Sequence, residues 1–298
     1  MSEITAEQYL SIAAELGEGP IWDTQVNAWW WVDILGKKLC RLTPGSGDGQ
    51  PKNESWDVGQ MVGTVVPRSS GGVMLAVADG FAEFNIDSGK LTVVADPESD
   101  MPGNRFNDGK CDPAGRFWAG TMRIDESSNS GSLYSLDAKH NVTKRLGSDI
   151  GVSNGIVWSS DSKRMYFIDS PVRRIYGFDF ELATGAISNQ SIVMQTPEEL
   201  GYPDGMAIDA NDKLWVAFWG GWCVAQICPT DGKLLSKISV PVEKVTACSF
   251  GGAKLDELLI TTASVGLSNE EKSQQPQAGD LFIAKPGVRG TTFAAYAG

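Results

Sequence analysis

The chain has 298 residues with 37 acidic and 25 basic side chains, a net charge of −12, and 42% hydrophobic residues. That length holds one large domain or two smaller ones, and the acidic balance argues against nucleic acid or an anionic membrane as partner. No apolar run approaches the length of a membrane-spanning helix.

From the start of the chain, Met1 to Leu10 carries acidic residues and no basic stretch, so no signal peptide is expected. Tyr9 to Ala13 is strand-like. Glu18-Gly19-Pro20-Ile21-Trp22-Asp23 then leads to a second apolar run, Trp29 to Asp33, and a third, Lys38 to Leu42. Gly45 to Gly49 reads as a plain surface turn. A weaker copy follows, Val62 to Val66, Val73 to Ala76 and Gly80 to Phe84. The third copy is the most informative: Arg105-Phe106-Asn107-Asp108-Gly109-Lys110, turn chemistry at Asp112-Pro113-Ala114-Gly115, a strand from Phe117, and a third run from Ser132 to Leu136. The pattern returns at Asn154 to Trp158 with Met165 to Asp169 and Ile175 to Phe180. It returns again at Asp204 to Asp209 with Leu214 to Ala217 and Trp222 to Ile227. A last, weak copy runs from Ala247 to Phe250 through Leu258 to Thr261 to Asp280–Ala284, and Thr292 to Tyr296 follows it.

Copies of short strands starting about every 43 to 50 residues signal propeller blades. One such sheet buries too little to stand alone and must stack on neighbours. We therefore expect an all-β fold, a six-bladed β-propeller with a central channel, as one domain over residues 1–298. The two chain ends should share or flank one blade. A β-sandwich or two small β domains is the alternative.

Five cysteines without a secretion signal suit buried thiols in a reducing cytoplasm. The one histidine, His140, lies in a hairpin turn, which excludes a His-ligated zinc site of the usual kind. Gly151-Val152-Ser153-Asn154-Gly155 matches G-x-S-x-G, but it continues as a β pattern and no partner histidine exists, so the match is chance. Oxygen chemistry remains. Glu18, Asn154 and Asp204 occupy matching places before Gly in three repeats, and Asn107 and Asp108 come from a fourth. Any one Asp-Gly or Asn-Gly alone reads as a turn. Circular symmetry would bring all of these near the channel mouth, as a hard-cation site for calcium, magnesium or manganese. Two carboxylates about 5 Å apart repel by roughly 3 kcal/mol at an effective dielectric of 20, so several together need a cation or raised pKa values.

Glu18-Gly19-Pro20-Ile21-Trp22, Arg105 to Lys110, Asp112 to Arg116, Ala119 to Met122, Ser153-Asn154-Gly155, Pro203 to Met206 and Tyr296-Ala297-Gly298 resemble the regucalcin and gluconolactonase family of sugar lactonases over nearly the whole chain. The resemblance implies one divalent cation (calcium, zinc, magnesium or manganese) in a six-bladed propeller, and hydrolysis of aldonolactones such as glucono-1,5-lactone. By position it implies Glu18, Asn154 and Asp204 as metal ligands. Asp204 is also the expected general base, with Arg105 and Asn107 on the substrate. Family members often place an acidic residue after Gly-Thr-Met; here Arg123-Ile124-Asp125-Glu126 makes Asp125 the nearest match. The expected partner is a small sugar lactone, with the protein a monomer or weak dimer. A cation-binding regulatory protein and an ester or organophosphate hydrolase are the alternatives.

Overall fold

The computed structural model describes residues 3–45 and 49–298. Ser46 to Asp48, in the expected surface turn, lie outside them. Six antiparallel sheets are arranged as the blades of a β-propeller. Their innermost strands are Gly17–Asp23, Val62–Pro67, Asn104–Cys111, Ser153–Trp158, Tyr202–Ile208 and Val245–Gly251. Every one of these six begins at an expected repeat or within three residues of one. Their residues are buried almost throughout, because each blade packs both its faces on neighbours. The core is correspondingly a series of inter-blade layers, with Trp29, Trp31, Trp118 and Trp215 wholly buried between sheets.

The N-terminal end closes the ring. Glu7–Leu10 pairs antiparallel with Leu281–Ala284 and so supplies the outer strand of blade 6, while Glu3–Thr5 adds in parallel to the outer edge of blade 5. The C-terminal end departs from expectation. Thr292 to Tyr296 does not flank that blade. Residues after Ala284 cross the face opposite the site: Gly290 bridges Asp209, Tyr296 N–H donates to the Pro67 carbonyl, and Ala297 N–H donates to the Gly115 carbonyl. Phe293 packs against the apolar layers of two separate core clusters, and Tyr296 is wholly buried. The segment spends its aromatic residues on the underside of the hub, so it has no strand pairing to offer blade 6.

A second difference decides how the site is built. The Asn-Gly and Asp-Gly pairs are not turns. All six inner strands carry a register shift near their start: after Glu18, Val62, Phe106, Asn154, Pro203 and Val245. Such bulges re-aim side chains out of the regular alternation. The glycines permit close approach between neighbouring inner strands. A Cβ on Gly155 would stand 2.5 Å from the Met206 Cβ, and one on Gly205 would stand 2.4 Å from the Ala247 Cβ.

Five thiols are free; Cys40, Cys111, Cys223 and Cys248 are buried and Cys228 is half-buried. No helix among the described residues is long and apolar enough to cross a membrane.

Candidate metal centre and active site

Because the bulges recur at one height, they deliver Glu18, Asn107, Asn154 and Asp204 to the floor of a single cavity of about 670 Å3. Arg105 and Ser170 line the same floor. All six side chains are at least nine-tenths buried. They are wired together across three blades. Arg105 Nη1 donates to Asn107 Oδ1 at 2.7 Å, and Asn107 Nδ2 donates to Asn154 Oδ1 at 2.9 Å. Asn154 Nδ2 then donates to Ser170 Oγ at 2.7 Å, and the Ser170 hydroxyl donates to the Pro203 carbonyl at 2.6 Å, next to Asp204. Asn107 also donates to the Ser153 carbonyl at 2.8 Å. A chain of satisfied bonds of this kind fixes rotamers before any ligand arrives.

The carboxylates are less comfortable. Burial, then the nearby Asp108 charge, pushes the Glu18 carboxyl up to about 8. Burial, with Glu18 and Asp108 alongside, also holds Asp204 well above the ordinary carboxylate range. Asp108 Oδ1 accepts the Gly109 N–H at 2.7 Å, but its Oδ2 is buried with no hydrogen-bond partner. A buried, orphaned carboxylate oxygen costs of order several kcal/mol unless a charge compensates it. Arg105 brings positive charge to Glu18 and Asp204; burial lowers its guanidinium to about 10 against the pull of Glu18, Glu126 and Asp204. Among the described residues no three His, Cys, Asp or Glu side chains form a metal-holding group by themselves. A cation here would therefore draw on the Asn154 amide oxygen as well as carboxylates. The donors are all hard oxygens, the set that suits calcium, magnesium or manganese.

Glu18, Asn154, Asp204, Arg105 and Asn107 thus come together. Asp125 does not join them. Its carboxylate accepts from the Ser127 hydroxyl at 2.7 Å, the Ser127 N–H at 3.0 Å and Arg123 Nε at 2.9 Å on an exposed turn. Those bonds, from Ser127 first, hold it down at about 2. Glu126, next in sequence and in a left-handed conformation (φ 53°), lines the cavity instead. Ser170 carried no signal in the repeat, since it follows the end of a second strand and does not open a first. Of the tryptophans, Trp219 lines the cavity while Trp118 and Trp215 are packing. His140 sits at its hairpin turn, stacked 6.3 Å from Tyr296 and outside the cavity. Ser153 is buried in a strand.

Similarity to known proteins agrees with this geometry. A family model described as the SMP-30/Gluconolactonase/LRE-like region matches residues 16–264. Regucalcin of Xenopus laevis is 38% identical over 304 aligned residues that cover 100% of both chains. A solved calcium-binding protein, regucalcin from Agrobacterium tumefaciens, is 30% identical and covers 99% of this chain and 98% of its own, with a TM-score of 0.92. A solved luciferin-regenerating enzyme is 31% identical, covers 98% of this chain and 99% of its own, and has a TM-score of 0.90. The chain belongs to the SMP-30/gluconolactonase/LRE-like family, and its role is of the lactonase or regucalcin type.

Proposed function

We propose that this protein hydrolyses lactones, with sugar aldonolactones such as glucono-1,5-lactone as the first candidates, using one divalent cation (calcium, zinc, magnesium or manganese). Glu18, Asn154 and Asp204 would hold the ion. The observation that carries this reading is a cavity whose floor gathers two buried carboxyls, Glu18 and Asp204, beside the Asn154 amide and the Arg105 guanidinium, with the unpartnered Asp108 Oδ2 buried close by. When bound, such an ion polarises a carbonyl and lowers the pKa of water.

The side chains divide the rest of the work. Asp204 accepts a proton from the attacking water. The water oxygen bonds to the lactone carbonyl carbon, the bond from that carbon to the ring oxygen breaks, and the proton passes to the ring oxygen. The product is an open hydroxy acid. Arg105, fixed by Asn107, offers positive charge to the developing oxyanion. Asn107 has both amide hydrogens committed to Ser153 and Asn154, so it acts on substrate mainly by holding its two neighbours. Glu126 takes the hydroxyl-binding place expected of Asp125.

The test is turnover of glucono-1,5-lactone by chelator-stripped protein before and after reloading with each ion. Activity should appear only with an ion, and Asp204→Ala should lose it by about a thousandfold, together with ion binding. Undiminished turnover in that variant would falsify the assignment. A second reading is regucalcin-like ion binding without turnover, favoured by the calcium-binding description of the Agrobacterium relative. Tight calcium binding with no hydrolysis of any lactone would select it.

A further inference from the structure

We infer that the preferred lactone carries an apolar substituent, an alkyl or similar hydrocarbon arm on the ring, rather than hydroxyls all round. This inference rests on the lactonase reading and, within it, ranks alkyl-substituted lactones ahead of the aldonolactones named first above. It starts from a mismatch between the cavity floor and the cavity wall. The floor is polar, but the hydrogens of Asn107 and Ser170 are used internally. Both Asn107 amide hydrogens are committed. Ser170 donates to the Pro203 carbonyl and accepts from Asn154. Lys244 Nζ, on the wall, donates to the Val265 carbonyl at 2.6 Å and lies 5.1 Å from the Trp219 ring centroid.

Above the floor the wall is mostly hydrocarbon, with Glu126, Tyr202 and Lys244 the polar side chains among it. Leu16, Leu35, Met61, Ile124, Val265 and Trp219 all line the cavity. They come from the site-side loops and strand ends of blades 1, 2, 3, 5 and 6. None of the six is fully buried by protein; five are half-buried and Ile124 is 43% exposed. Hydrophobic side chains gathered around a concavity and left wet are a binding surface in search of apolar area. The volume, about 670 Å3, falls in the range of roughly 300–1,000 Å3 that suits drug-sized ligands, so one ring seated on the floor leaves most of the wall uncovered. A polyol there would turn some of its hydroxyls toward the side chains of Leu35, Met61 and Val265, which offer no hydrogen-bonding group, and each hydroxyl so placed is penalised. A hydrocarbon arm meets the same wall favourably, with about a fourfold gain for each methylene buried. The bond changes at the ring are those given above; the arm adds binding and takes no part in them.

The experiment compares kcat/KM of the manganese-loaded protein for δ-valerolactone, δ-octalactone, δ-decalactone and glucono-1,5-lactone. We expect a rise of about fourfold per added methylene until the wall is covered, with glucono-1,5-lactone below δ-decalactone. A flat alkyl series, or glucono-1,5-lactone ahead of δ-decalactone, overturns the inference. Binding of the open products, 5-hydroxydecanoate against gluconate, is followed in parallel by tryptophan fluorescence. That arm separates the two failures. If no lactone is turned over but 5-hydroxydecanoate binds at least tenfold more tightly than gluconate, the lactonase reading falls and the apolar wall stands. If gluconate binds as well or better, the wall falls. Ile124→Gln combined with Val265→Gln, both at partly exposed positions, should reduce the δ-decalactone to δ-valerolactone ratio at least fourfold; an unmoved ratio removes the wall from the account.

Discussion

Asp108 shows what a single side chain contributes that a pattern cannot display. Its place in the repeat put it near the channel mouth, and so did its neighbours, but only the fold reveals that one of its oxygens has no partner. An ion resting on Glu18, Asn154 and Asp204 would gain from that third negative charge without needing it as a ligand. Asp108→Asn should therefore weaken cation binding by about 10- to 100-fold, the usual cost of losing a supporting group around a metal, while leaving the fold intact. Isothermal titration with calcium or manganese measures it, and an affinity within twofold of the original would make Asp108 a bystander. The convergence of Glu18, Asn154 and Asp204 on one cavity was legible because each precedes a glycine at the same point of the repeat. Asp125 lies outside the cavity that Glu126 lines, because a turn after a strand end has no such frame: Ser127 and Arg123 capture the Asp125 carboxylate, and Glu126, next in the chain, has a left-handed backbone.

At the scale of the element, one device recurs on the face opposite the site. Asp112 follows the inner strand of blade 3. Its Oδ1 accepts from Ala114 N–H and Arg116 N–H, and its Oδ2 accepts from the Trp118 indole at 2.8 Å. Asp209 does the same in blade 5, taking Asn211 N–H, Lys213 N–H and the Trp215 indole at 3.0 Å, with Gln226 as a further donor. In blade 1, Asp23 takes Gln25 N–H and the Trp30 indole. In blade 4 the matching place on the second strand holds Tyr166 instead of Trp, and Ser159 stands in place of the aspartate. The carboxylate thus accompanies the indole, because a buried indole N–H needs an acceptor. The sequence made the turns and the strands evident from Asp-Pro-Ala-Gly and the apolar runs. It did not make evident that the turn residue reaches across to the second strand, since that contact depends on the hairpin already being formed. Asp209→Ala removes four accepted bonds and strands the Trp215 N–H. We expect a loss of about 3 kcal/mol, read as a lower denaturant midpoint with an unchanged slope. A midpoint within experimental scatter of the parent would show that the clamp is ornamental.

For the whole molecule, the ring closes on its own strained centre. Strands from all six blades converge on a hub in which three carboxyls sit with limited counter-charge, and the segment from Gly290 to Ala297 closes the other end. The six-fold count and the site end of the ring could be read from the repeat. The closure could be read only in part: a strand was expected at Tyr9 to Ala13 and forms at Glu7–Leu10, whereas residues 290–297 have no period, and their course follows from where Phe293 and Tyr296 find apolar company. Hub and ring are linked thermodynamically. With no cation, Glu18 is raised in the folded protein from its ordinary 4.5 to about 8, and Asp204 is raised in the same direction. The folded state then binds more protons than the unfolded chain between those values, so stability falls as pH rises through that window. A divalent cation reverses the balance, since it binds the ionised carboxylates of the folded hub and releases their protons. Chelator-treated protein should accordingly melt at progressively lower temperature from pH 5 to pH 8. The increase in melting temperature on adding calcium or manganese should be largest at the upper end. Each kcal/mol of linkage would appear as a shift of about 2–4 °C in a chain of this size. A metal-free melting temperature that stays level or climbs across that interval would mean that the hub carboxylates are compensated within the protein, and that no ion is needed to hold the centre of the ring together.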